Sequence, residues 1–255
     1  MNRALRHRGV NLDPIEVLLC DADDCLFASE RPAFEASTHV VNRLLAELGD
    51  ELRFTPEELR RHAAGRNFRS LAGELCAERG VELADAELDR WVAAEREAVI
   101  AHLGEALRPV DSVSAPLRRL AGRFGLALVS SSALARLDAC LAATGLAPLF
   151  PTESRFSAEG SLPEPTSKPD PAIYREAGRR LGVAGERALA IEDSPNGARA
   201  AVAAGFPTVG LLQFVPPAER SARGEEMIAI GVAALLESWE DLEAVLSPET
   251  SPAAG

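Results

Sequence analysis

The sequence predicts an α/β protein, a doubly wound parallel sheet carrying an α-helical domain inserted after its first strand. Three observations carry that prediction. Short aliphatic runs at Val17–Cys20 and at residues 126–129, 188–191 and 208–212 have the length and continuity of strands buried on both faces. From residue 114 onward, stretches with helical spacing separate these runs, and strands joined through helices pair in parallel by right-handed crossovers. Between residues 32 and 108 the alternation stops, and the chain becomes rich in Ala, Leu, Glu and Arg with apolar residues three and four apart.

Taken in order, Val17–Cys20 opens the sheet and runs into Asp21-Ala22-Asp23-Asp24-Cys25-Leu26. The helical block follows, its spacing visible in Val41, Leu44, Leu45 and Leu48 and again in Leu71 and Leu75. Gly49-Asp50, Gly65, and Gly80 with Asp85 divide it into about four helices. Thr55-Pro56-Glu57-Glu58 has the composition of a helix start. The block is read as a cap domain over residues 32–108, on a core formed by 1–31 and 109–255. A helix at 114–122, the strand at 126–129 and a helix at 133–144 come next. A strand-like patch near Leu149-Phe150 precedes a loop holding Pro151, Gly160, Pro163, Pro165 and Pro169. The core is completed by a helix at 171–181, the strand at 188–191, a helix at 195–204 and the strand at 208–212. Another strand at 232–236 and a helix at 240–246 follow, before a fraying tail.

With 255 residues, 47% of them apolar, the chain can bury one large core or two modest ones. No run has the length of a membrane span, and residues 1–8 are a basic leader without the apolar centre of a secretory signal, so a cytoplasmic protein is expected. Cys20, Cys25, Cys76 and Cys140 lack metal-knuckle spacing and read as small core residues. A net charge of −12 argues against nucleic-acid binding, which needs basic surface. An anionic substrate would then need a local cation: a metal, Lys168 or an arginine of the cap.

In such a sheet ligands bind beyond the carboxyl ends of the strands. The first strand delivers Asp21 and Asp23, which leave an extended chain on one face. Two adjacent carboxylates repel unless a cation lies between them, an arrangement that suits a hard metal ion and leaves one carboxylate to act as nucleophile. The second run delivers Ser130-Ser131-Ser132 ahead of a helix N-terminus, a hydroxyl and amide set suited to an oxyanion. The third delivers Glu192-Asp193-Ser194. Lys168 lies in a loop and can hold a phosphoryl oxygen. Each has a plain alternative: a turn, an N-cap, a turn before Pro195, a solvated lysine. Together they can make a phosphoryl-transfer site. Carboxylates from two strand ends hold Mg²⁺, and Ser130 and Lys168 take the phosphate. Asp21 attacks phosphorus in line, and Asp23 protonates the leaving alkoxide before deprotonating water.

Four patterns occur in order along the chain. A D-x-D-x-T/V-L pattern matches Asp21-Ala22-Asp23-Asp24-Cys25-Leu26, with Ser29-Glu30 beyond it. A strand ending in Ser or Thr matches Ala127-Leu128-Val129-Ser130, and K-P-x-P matches Lys168-Pro169-Asp170-Pro171, followed by Ile173-Tyr174. E-D-S-x-x-G matches Glu192-Asp193-Ser194-Pro195-Asn196-Gly197. The set resembles the haloacid dehalogenase-like hydrolase superfamily, in the subgroup with β-phosphoglucomutase and phosphoglycolate phosphatase. The resemblance implies a Rossmann-like core with a helical cap and Asp21 as nucleophile. It also implies Asp23 as acid/base with its carbonyl on Mg²⁺, Ser130 and Lys168 on phosphate with Ser131 and Ser132 beside them, and Asp21, Glu192 and Asp193 as metal ligands.

Asp24 departs from the usual Gly or Asn, and Cys25 from Thr or Val. In similar proteins a cap loop reaches over the crevice; the matching stretch is Gly65-Arg66-Asn67-Phe68-Arg69. Gly65, Arg66, Asn67 and Arg69 are accordingly candidates for substrate binding, the alternative being helix-end arginines. His39, His62 and His102 lack ligand spacing and read as surface or packing residues. The expectation is a Mg²⁺-dependent phosphomonoester hydrolase acting as a monomer on a small phosphorylated metabolite, a sugar phosphate or related compound, through an aspartyl phosphate. No nucleic-acid or membrane partner is expected. The alternatives are a phosphosugar mutase, in which a sugar hydroxyl takes the phosphoryl group, and a regulatory protein that keeps the fold.

Overall fold

A computed structural model describes residues 12–63 and 66–247, and the chain divides into two units, one running to Phe27 and resuming at Arg108, the other Ala28–Leu107. The basic leader, Gly65 and the tail from residue 248 lie outside the described residues. The first unit opens with β1 (Val17–Cys20). The second consists of α1 (Glu30–Glu47), α2 (Pro56–His62), α3 (Phe68–Ala77) and α4 (Asp85–Ala106). In α1, Val40, Val41, Leu44 and Leu45 are buried at helical spacing and seed two apolar clusters, one with α2 and α3, the other with Trp91 of α4. The start read at Thr55 is a capping box, with the Thr55 hydroxyl accepting from the Glu58 amide and Glu58 Oε2 accepting from the Thr55 amide. His102 lies 3.2 Å from Glu35 Oε2, and the His62 ring packs on Phe54.

The first unit resumes with α5 (Asp111–Ala121), β2 (Gly125–Ser130), α6 (Leu134–Thr144), β3 (Arg155–Ser157) and α7 (Ala172–Leu181). It continues through β4 (Ala188–Glu192), α8 (Pro195–Ala203), β5 (Thr208–Leu211), α9 (Arg220–Ile230), β6 (Ala234–Leu236) and α10 (Trp239–Leu246). The strands form one sheet in the order β3-β2-β1-β4-β5-β6, with every pairing parallel. Strand alternation explains why the strands read as unbroken apolar runs. Leu19, Val129 and Ala190 face a cluster with Ile173, Tyr174 and Ala177 of α7 and Ala200 and Ala201 of α8, while Leu18, Cys20, Leu128 and Ile191 are equally buried on the other face.

Two expectations need correction. Leu149-Phe150 is not a strand: Ala147–Leu149 is a 3-10 turn and Phe150 is buried beyond it, while the strand comes later, at Arg155–Ser157. An edge strand of three residues, Arg-Phe-Ser, offers too short an apolar pattern to be read. Helix α9 had no counterpart in the reading because it buries only Gly224 and Met227. All four cysteines are buried and unbridged.

Candidate active site

Register brings the strand ends together. Cys20 pairs with Leu128 on one side and Ile191 on the other, and the Asp21 amide donates to the Ile191 carbonyl at 2.9 Å. The chain runs outward from β1 to β2 and β3, then returns to start β4 on the opposite side, so β1 and β4 flank the topological switch point. Asp21, Ser130, Glu192 and Asp193 therefore share one edge of the sheet.

Lys168 reaches that edge from its loop, with its side chain 6% exposed. Its ammonium donates to Asp21 Oδ1 at 2.5 Å, to Glu192 Oε1 at 2.6 Å and to the Val129 carbonyl at 2.8 Å, which uses all three donors. Its own amide donates to Ser131 Oγ at 3.0 Å, so the serine run fixes the loop. Glu192 is fully buried. Its Oε1 also accepts from the Tyr174 hydroxyl, and its Oε2 has no hydrogen-bond partner. Gly197 makes room for that carboxyl: a Cβ there would lie 1.7 Å from Oε2. Burial pushes the Glu192 carboxyl up to about 8, with the Asp21 charge adding and Lys168 opposing. Burial and the charges of Asp21 and Glu192 push Asp193 up as well, against Arg223. Burial works to lower the Lys168 ammonium, but Asp21 and Glu192 outweigh it and hold the group above its ordinary range.

Asp21, Glu192 and Asp193, all buried, each bring a carboxylate oxygen within 4.8 Å of the others. This all-oxygen, anionic set, with one buried oxygen still unpartnered, fits a hard divalent cation such as Mg²⁺. The Asp23 carboxyl lies outside that group. Its Oδ2 accepts from Ser132 Oγ and its Oδ1 from Arg136 Nη2, each at 2.6 Å. Ser130 Oγ accepts from the Ser132 amide at 3.0 Å, tying the serine loop together.

Sequence reasoning passed over Arg136, Tyr174, Gly197 and Arg223 as site residues. Signals for two of them exist. Arg136 lies in the first turn of α6, where the helix dipole disfavours a cation unless an anion faces it. Tyr174 and Lys168 are the only tyrosine and the only lysine in the chain. In the helical unit, Asn67 caps α3 by accepting from the Ser70 amide, Arg66 pairs with Glu74 and the His62 carbonyl, and Arg69 pairs with Asp89. Both arginines are thus ion-paired within their own unit, and Gly65 lies outside the described residues.

The first β-α turn carries Asp21-Ala22-Asp23-Asp24 where a dinucleotide-binding sheet carries its glycines, so fold and site define a doubly wound α/β protein with an acidic sheet edge. A family model, hydrolase: haloacid dehalogenase-like hydrolase, matches residues 15–205. The protein CbbY of Cereibacter sphaeroides is 32% identical over 204 residues, covering 75% of this chain and 82% of that one. Two crystal structures share the fold at 26% identity. A mutant CbbY from Rhodobacter sphaeroides in complex with xylulose-(1,5)bisphosphate has a TM-score of 0.66, covering 89% of this chain and 96% of that one. A HAD family hydrolase from Deinococcus radiodurans with bound phosphate and sodium has a TM-score of 0.65, covering 91% and 95%. The chain belongs to the haloacid dehalogenase-like hydrolases, and it is an enzyme of the phosphatase kind.

Proposed function

We propose that this chain is a Mg²⁺-dependent phosphomonoester hydrolase acting on a small phosphorylated metabolite, a sugar phosphate or related compound, through an aspartyl phosphate. The observation that carries the reading is the ion pair of Asp21 with Lys168 at the switch point, beside the carboxylates of Glu192 and Asp193. Mg²⁺ held by Asp21, Glu192, Asp193 and the Asp23 carbonyl would supply positive charge to the phosphoryl oxygens.

The chain's own residues do the rest. Lys168, giving up one of its three present acceptors, and Ser130 hold the phosphoryl group, with Ser131 and Ser132 shaping the loop around it. An Asp21 carboxylate oxygen forms a bond to phosphorus as the bond to the substrate's ester oxygen breaks. Asp23, turned from Ser132 and Arg136 and carrying a proton taken from solvent, gives that proton to the leaving oxygen and is left as the carboxylate. In the second half, the Asp23 carboxylate takes a proton from water as the water oxygen bonds to phosphorus, and the Asp21–phosphorus bond breaks to release inorganic phosphate. The helical unit is the cap that selects the substrate, and Arg66, Asn67 and Arg69 are its candidates for contact.

The substrate is tested by following phosphate release across phosphorylated sugars, nucleotides and short acids, with xylulose-(1,5)bisphosphate included because a relative binds it. A marked preference in kcat/KM for one sugar phosphate, reduced in Arg66→Ala, is the expected result. Conversion of a hexose 1-phosphate to its 6-phosphate without free phosphate would instead make the enzyme a mutase.

A further inference from the structure

The chain's one lysine and one tyrosine donate to the same atom, Glu192 Oε1. An ammonium on a four-carbon stem is compact and mobile, so its position depends on what receives its protons. Two receivers of the Lys168 ammonium are set by the sheet: the Val129 carbonyl belongs to β2, and Asp21 directly follows β1. The third is the long side chain of Glu192, whose Oε2 is the atom left for the proposed cation and whose Oε1 needs an anchor of its own. Its Oε2 has no donor and rests against Gly197, so the Tyr174 hydroxyl is what holds Oε1 besides the lysine itself. The Tyr174 ring is fully buried on α7, with Phe206 beside it, and its centroid lies 5.2 Å from the ammonium nitrogen.

We infer that Tyr174 is a positioning residue, which through Glu192 fixes the Lys168 ammonium on the Asp21 carboxylate. The inference rests on the reading of Asp21 as phosphoryl acceptor and extends it to a residue away from the strand ends. A tyrosine that only filled the core would be replaced by phenylalanine without cost to turnover, because the ring keeps its contacts. A tyrosine that positions Lys168 would not, because Glu192 Oε1 would lose the hydrogen bond that holds it besides the lysine.

The test is Tyr174→Phe, read in two ways. Turnover of p-nitrophenyl phosphate is expected to fall about tenfold in kcat while KM stays close to that of the wild type. In protein labelled with ¹⁵N-lysine the single side-chain ammonium signal belongs to Lys168, and it is expected to shift and broaden in the variant. Wild-type kcat together with an unchanged ammonium signal overturns the inference. Should the phenylalanine variant fail to fold, replacing tyrosine by 3-fluorotyrosine alters residue 174 alone and must move the same signal; an unmoved signal overturns the inference equally. If wild-type protein shows no phosphate release that Asp21→Asn abolishes, the reading of the site fails, and the ammonium signal still decides the role of Tyr174.

Discussion

Asp24 sits at φ +53°, in the left-handed region where a Cβ crowds the following carbonyl. Gly accepts that conformation for lack of a Cβ, and Asn and Asp through short polar side chains. The departure from the usual Gly or Asn therefore stays within one steric class, and the added carboxylate pushes Asp193 further up. Asp24→Asn and Asp24→Gly are expected to leave urea stability within about 0.5 kcal/mol of wild type, and Asp24→Val to lose about 1–2 kcal/mol. Gly197→Ala forces a methyl onto Glu192 Oε2 and is expected to cost about 1–3 kcal/mol in the same titration. Asp21, Lys168, Glu192 and Asp193 were legible because strand ends and their acidic or loop residues leave a linear pattern. The partners of those residues were not. Nothing local ties Arg136 to Asp23, 113 positions away, or distinguishes a Tyr174 hydroxyl that reaches Glu192 from one that meets solvent.

Two helices beyond the matched residues 15–205 hold the acidic loops. From α10, the fully buried Trp239 donates its indole N–H to the Cys25 carbonyl at 2.9 Å. From α9, Arg223 donates to the Asp193 carbonyl at 3.2 Å. Trp239→Phe keeps most of the buried ring and removes the donor, so urea denaturation is expected to show a loss of about 1–3 kcal/mol. An unchanged midpoint would mean that the Cys25 carbonyl finds another donor. The elements that could be read from sequence are those with continuous apolar runs, a clear helical period or a cap such as Thr55. Helix α9 has neither a wide apolar stripe nor an N-cap signal, and β3 is too short to alternate, so tertiary pairing rather than local pattern defines them.

Across the whole molecule the charge is −12, and at the sheet edge the carboxylates of Asp21, Asp23, Glu192 and Asp193 meet the cations of Lys168, Arg136 and Arg223. Burial raises Glu192 to about 8 and Asp193 well above its ordinary value, so the folded chain keeps protons that the unfolded chain has lost. Stability from these groups accordingly falls as pH rises from the ordinary carboxylate range towards about 8. A divalent cation bound to the same oxygens removes that penalty. Mg²⁺ is therefore expected to raise Tm more at about pH 8 than at about pH 5.5, measured by calorimetry at both values. A rise of equal size at the two would place bound Mg²⁺ away from these carboxylates. Among the described residues no helix is long and apolar enough to cross a membrane.

If Asp21 accepts a phosphoryl group in a Mg²⁺-dependent hydrolysis, turnover must depend on both its carboxylate and the cation. The most direct measurement is p-nitrophenyl phosphate hydrolysis by wild type and Asp21→Asn, each with Mg²⁺ and after chelation. Turnover is expected only for wild type with Mg²⁺, with Asp21→Asn at background under both conditions. Equal rates from wild type and Asp21→Asn, or a wild-type rate untouched by chelation, would contradict it.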